Sequence, residues 1–185
     1  TFSGSVTPVY GQDFVRVIPS FGQGPYEVIM FADYFCPPCR RIDAKAEPLF
    51  EELLATGKVK WTFVDVPSNR VTPIYAKYYL YAVNADSNPK NVLHVRKALF
   101  DAAQDRRIQT EAELLNYLKS RKIAVKPMNE KSVFPLLSAA IKDARVDQTP
   151  TCVIRYPLAG GHKYVGDVEI WNGLTQLKSM LSTGK

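Results

Sequence analysis

A chain of 185 residues with 46% hydrophobic residues is long enough for one compact domain, or one domain carrying an insertion, around a sizeable core. No run approaches the roughly 18 consecutive apolar residues of a membrane-spanning helix, which argues against that class. The net charge of +6 is dispersed in short pairs such as Arg40-Arg41, Arg106-Arg107 and Arg121-Lys122, the pattern of a solvated surface rather than of a nucleic-acid-binding patch.

Residues 1–10 (TFSGSVTPVY) lack the basic-then-apolar pattern of a secretory leader, so an exported protein would carry its leader outside this sequence. No dimerisation segment is read ahead of the core, and a monomer is expected. Tyr26 to Phe31 (YEVIMF) is an apolar run suited to a buried strand, and it leads directly into Ala32-Asp33-Tyr34-Phe35-Cys36-Pro37-Pro38-Cys39. Ile42, Ala46, Leu49, Phe50, Leu53 and Leu54 then recur at helical spacing until Gly57 stops the helix, with a kink expected at Pro48. Val59 to Val66 alternates as a strand, which completes a βαβ unit with a CxxC at its first strand-to-helix junction.

From about Pro67 to Arg145 strand signals give way to helix starts at Thr72-Pro73, Asn88-Pro89, Thr110 with Glu113 as a capping box, and Asn129. Leu114, Leu115 and Leu118 form one apolar stripe, and Val133, Leu136, Leu137, Ala140, Ile141 and Ala144 another. The segment reads as a helical bundle of residues 67–145 inserted in a core made of residues 1–66 and 146–185. The end returns to strand pattern: Thr151 to Tyr156 and His162 to Val165 flank the turn Ala159-Gly160-Gly161, and an amphipathic helix from about Val168 to Leu181 closes the chain.

Three cysteines are too few for a disulfide-stapled scaffold, and one is left over if Cys36 and Cys39 join. Disulfide exchange needs an attacking thiolate and a second thiol within ring-closing reach, and two intervening residues at a helix start supply both. Cys36, at the positive end of the helix, is the expected nucleophile, and Cys39 the buried resolving partner. Arg40 and Arg41 would add positive charge if they face the sulfur and little if they face solvent. The two prolines between the cysteines stiffen the loop but remove two amide donors. A zinc site is the competing use of CxxC; Cys152, His94 and His162 offer no second paired spacing, and no metal or other cofactor is expected. Cys152 reads either as a buried, inert thiol or as a third redox residue, and Tyr75, Tyr78, Tyr79 and Tyr81 as packing or as a substrate platform.

The segment FADYFCPPCRRI resembles the F-x-D-x-x-C-P-x-C active-site motif of the DsbA-like branch of the thioredoxin superfamily, and Gln148-Thr149-Pro150-Thr151 is similar to its cis-proline loop. The helical segment between βαβ unit and hairpin matches in length and position, so the resemblance covers nearly the whole chain. It implies an α/β, thioredoxin-like fold, a mixed sheet flanked by helices with an inserted helical domain. It implies further that Thr149-Pro150 is cis, packs on the CxxC and offers the Thr149 backbone to a substrate. The activity implied is thiol–disulfide exchange, as a DsbA-like oxidase or else a reductase or isomerase, in the periplasm or another extracytoplasmic space. The implied partners are cysteine-containing protein substrates and a membrane redox partner that resets the CxxC. A peptide-binding, chaperone-like module without turnover is the alternative from a different class. Relatives often carry an acid six positions before the first cysteine, where this chain has Met30; Asp33 matches a second acidic position, with loop capping as its alternative role.

Overall fold

The structure, a computed structural model, describes residues 18–183, so the readings made on residues 1–10 lie outside the described residues. Five strands form one sheet: β1 (Ser20–Gly22), β2 (Tyr26–Ala32), β3 (Val59–Asp65), β4 (Thr151–Tyr156) and β5 (Gly160–Val165), in the order β1-β3-β2-β4-β5. Strand β2 pairs parallel with β3 and antiparallel with β4, so it is central, and its last five residues are all buried. That double burial is why its sequence is continuously apolar instead of alternating.

Helix α1 (Pro37–Ala55) makes the crossover from β2 to β3 and buries Cys39, Ile42, Ala46, Leu49, Phe50 and Leu53. It runs on through Pro48, and it ends where Gly57 takes a left-handed φ of 66° and the Thr56 and Gly57 amides return to the Leu53 and Leu54 carbonyls. The short edge strand β1 was not foreseen. It pairs antiparallel with β3, and its Gly22, at φ 71°, abuts the Val59 carbonyl and the Leu54 side chain, where a Cβ has no room.

Between β3 and β4 lie α2 (Thr72–Ala85), α3 (Pro89–Gln104), α4 (Glu111–Ser120) and α5 (Glu130–Asp143). The cap of α2 is Val71 in place of the expected Thr72, because the Thr72 hydroxyl is engaged elsewhere. Asn88 caps α3 by accepting from the Lys90 amide, and Thr110 caps α4 by accepting from the Glu113 amide while its hydroxyl donates to the Glu113 carboxylate. Helix α3 packs on α1, and α5 packs on β3. Ala140 of α5 and its C-cap Ala144 line a cavity of about 410 Å³ with Ile29, Phe31, Val64 and Val153 of the sheet.

The terminal helix α6 (Asp167–Thr183) buries Ile170, Leu174, Leu177 and Leu181 and packs against α1 on the other sheet face. Each such side chain contributes about 1.5–3 kcal/mol relative to exposure. Gly173 sits where a Cβ would come within 2.8 Å of the Tyr164 ring, so its smallness sets how closely α6 approaches β5. Helices α1 and α6 thus hold one end of the sheet, where the CxxC and the start of β4 meet.

Candidate active site

Cys36 is the N-cap of α1, with extended backbone (φ −95°, ψ 112°). Pro37 and Pro38 fill the first two helical positions, where missing amides do no harm to the helix. They leave the Cys39 amide as the donor of the first turn that reaches the Cys36 sulfur, at 3.2 Å. Cys36 and Cys39 are joined by a disulfide; Cys39 is fully buried, whereas Cys36 is only partly so. A nucleophile from solvent therefore reaches the Cys36 sulfur and leaves Cys39 as the displaced group.

The Thr149–Pro150 peptide bond is cis, and the Thr149 carbonyl oxygen stands 3.6 Å from the Cys36 sulfur. The Gly166 amide donates to the Pro150 carbonyl, and the Thr151 hydroxyl to the Gln148 carbonyl, so the loop is tied to both β5 and its own start. The four residues singled out from the sequence, Cys36, Cys39, Thr149 and Pro150, are thereby brought together.

Asp33 is buried and accepts from the Phe35 amide (2.9 Å), the Asn69 amide (3.0 Å) and the Thr72 hydroxyl (2.9 Å). Of its two readings the geometry matches loop capping: the carboxylate ties the turn before Cys36 to the entry of α2. From the other side, Gln104 at the end of α3 donates to the Tyr34 and Cys36 carbonyls, at 2.8 and 3.1 Å. Sequence reasoning missed Gln104, Asn69 and Thr72, because each acts across the fold through a backbone or carboxylate partner that spacing does not reveal.

Arg40 is partly buried and Arg41 is exposed, and both are held in ion pairs. Arg40 forks onto Asp101 of α3 and Asp105, its C-cap, and Arg41 pairs with Asp167 at the start of α6, at 2.8 Å. Cys152 is fully buried, opposite Met30 across β2–β4, and burial pushes its thiol well above the ordinary range, as suits an inert core residue. Tyr75, Tyr78 and Tyr79 are buried; Tyr75 stacks edge-on against Phe35 and donates to the Ile108 carbonyl, while Tyr78 and Tyr81 donate to Glu111 and Glu130. These contacts are packing. His94 and His162 are both exposed, His94 meeting the Arg121 carbonyl and His162 the Tyr156 ring.

Met30 pairs with Phe63 across β2–β3, and the guanidinium of Arg96, reached from α3, lies 3.9 Å over the Phe63 ring. Arg96 is 1% exposed and meets Asp43 at 2.7 Å and Asp65 at 3.9 Å. Burial opposes its charge, yet Asp43, Tyr34 and Asp65 hold its pKa above the usual arginine value. The layer that has an apolar Met30 in place of an acid is thus charged from helices and from the end of β3. Burial, helped by Asp33 and Asp43, lifts Asp65 to about 6 against the pull of Arg96 and Tyr34. A carboxyl that holds its proton more tightly folded than unfolded stabilises the fold below its unfolded pKa and loses that contribution as pH rises through its folded value. Stability is therefore expected to fall by roughly 2 kcal/mol between pH 4 and pH 7 from this group, and Asp65→Asn to flatten the profile. Urea midpoints of both proteins across that range check it, and parallel profiles would refute it.

Compared with known proteins, the Thioredoxin family profile matches residues 23–167, from just after β1 to the first residue of α6. The chain belongs to the thioredoxin family. No curated protein matches it in sequence. Among solved structures, this thioredoxin-family protein superposes on a periplasmic thioredoxin-like protein from Salmonella enterica serovar Typhimurium with a TM-score of 0.65 at 18% identity, covering 89% of this chain and 90% of that one. It superposes on the thiol-disulfide exchange protein alpha-DsbA2 from Wolbachia pipientis with a TM-score of 0.60 at 16% identity, over 91% and 87% of the two chains. The catalytic domain of Proteus mirabilis ScsC gives 0.61 at 20% identity over 89% of each chain. The five-stranded mixed sheet flanked by helices is thus the thioredoxin-like fold that the sequence implied.

Proposed function

We propose that this protein is a thiol:disulfide oxidoreductase that donates the Cys36–Cys39 disulfide to cysteine-containing proteins, in the manner of a DsbA-like oxidase. The observation that carries the reading is the disulfide at the α1 N-terminus, accessible at Cys36 and buried at Cys39, beside the cis Thr149–Pro150 loop. A substrate thiolate attacks the Cys36 sulfur, the Cys36–Cys39 bond breaks, and Cys39 leaves with the electron pair and takes up a proton. A second substrate thiolate then attacks its own partner's sulfur in the mixed disulfide and releases Cys36 as the thiolate. The substrate has lost two electrons and two protons, and the protein holds two thiols. Thr149 and Pro150 have the role of substrate-binding residues, the Thr149 backbone lying against a segment in extended conformation.

The rest of the reading follows from this cycle. A membrane redox partner reoxidises the dithiol, the compartment is periplasmic or otherwise extracytoplasmic, and the protein works as a monomer with no cofactor and no nucleic acid. Residues 67–145 act as a helical insertion in a core of residues 1–66 and 146–185, laid beside the CxxC. Salmonella and Wolbachia structural neighbours, described as periplasmic and as a thiol-disulfide exchange protein, support compartment and chemistry.

A second reading, reductase or isomerase, is favoured by Pro37-Pro38, which withhold donors from the Cys36 sulfur, and by the apolar Met30. Equilibration with glutathione buffers separates them: a reduction potential near about −120 mV is expected for the oxidase, and one near about −270 mV would overturn it in favour of a reductant. A pair that does not exchange at all would leave a non-catalytic binding module.

A further inference from the structure

The C-terminal end of α3 grips the CxxC twice. Gln104 holds the Cys36 carbonyl, and on either side of Gln104 the two aspartates hold Arg40. Arg40 Nη1 donates to Asp105 Oδ1, and Nη2 donates to Asp101 Oδ1 and Asp105 Oδ2, all at 2.7 Å. Arg40 is four residues after Cys36 and its amide donates to the Cys36 carbonyl, so the fork is carried on the first turn of α1.

One guanidinium held by two carboxylates carries a net charge of −1, and it is carried one helical turn from a cysteine whose sulfur is neutral in the disulfide and negative as the thiolate. The neighbouring Arg41 is already matched by Asp167, and Asp33 is capped by three donors. Resting on the exchange reading above, we propose that Arg40, Asp101 and Asp105 are positioning residues forming a clamp that sets the reduction potential of the Cys36–Cys39 pair, holding it below the value that Arg40 alone would give. The excess negative charge opposes the thiolate and so disfavours the reduced state; in the oxidised state there is no sulfur charge to oppose. The clamp therefore acts on the difference between two redox states, which a latch that merely joined α1 to α3 would leave unchanged.

The test is the equilibrium constant for two glutathione thiols plus protein disulfide giving glutathione disulfide plus protein dithiol. With both Asp101→Asn and Asp105→Asn in place, Arg40 is left uncompensated, and the constant is expected to move at least about threefold toward reduced protein. Arg40→Met leaves the two carboxylates uncompensated, and the constant is expected to move by a similar factor the other way. Both shifts should shrink in about 0.5 M salt, because the fork is partly exposed. Arg40→Lys, which keeps the charge, should stay close to wild type, and thermal melts of each oxidised variant show that it is folded. Constants unchanged in folded variants, or shifted in the same direction, would overturn the clamp while leaving the exchange reading intact. A wild-type protein that does not exchange with glutathione would overturn that reading and the clamp with it.

Discussion

Cys36→Ala and Cys39→Ala are each expected to reduce disulfide transfer to the uncatalysed rate, because neither can form the disulfide that is donated, but only Cys39→Ala is expected to keep a thiol that forms a mixed disulfide. The asymmetry comes from burial: the Cys36 sulfur is partly exposed at the helix cap, and Cys39 lies fully inside. Without Cys36 the remaining thiol has no access to a substrate. Without Cys39, Cys36 still receives the Cys39-position amide and still exchanges with a mixed-disulfide reagent, but no internal thiol can resolve the product. Oxidation of a reduced dithiol peptide by each oxidised protein reads the loss of transfer, and mass spectrometry after exposure to glutathione disulfide reads the mixed disulfide that Cys39→Ala retains and Cys36→Ala does not form. Full activity in Cys36→Ala would exclude the proposed chemistry.

Arg96→Leu is expected to destabilise the protein by about 3–5 kcal/mol, because it strands buried carboxylates rather than because it removes a favourable pair. Asp43 and Asp65 have side-chain exposures of 12% and 4%, and Arg96 is their shared counter-charge. The side chain also lies among Tyr34, Phe63, Tyr79 and Phe100, whose rings would close on a shorter residue and leave the aspartates in an apolar medium. Chemical denaturation at neutral pH measures the loss. A change under about 1 kcal/mol would mean that water reaches the pair and screens it.

Most of the scaffold was readable because its signals are local. Strand β2, helix α1, the Asn88 and Thr110 caps, the β4–β5 hairpin (its turn at residues 157–159, just ahead of the glycines) and the Ile170–Leu181 stripe each rest on residues a few positions apart. Strand β1 escaped because three residues, Ser20-Phe21-Gly22, carry no alternation and depend on β3 for their definition. The cis Thr149–Pro150 bond was legible only through resemblance, since a Thr-Pro pair at a strand start carries no such information by itself.

The charged interior was missed, although a trace of it was present. Arg96 falls on the same helical face as Val92, Val95, Leu99 and Phe100, all buried, and a charge on an apolar stripe calls for a buried counter-ion. What spacing could not supply was which carboxylates answer it, because Asp43 and Asp65 come from another helix and from the end of a strand. The Arg40 fork is hidden for the same reason, with partners 61 and 65 positions away.

Cys36 and the Thr149 carbonyl face each other across 113 positions of chain. The strand, turn and helix that carry the two cysteines are complete before the helical segment begins, whereas the loop opposite them follows all four of its helices. On a growing chain the reactive sulfur pair is therefore made long before the surface that would select its targets, and closing so long a loop is entropically slow. Along the chain, chemistry precedes recognition.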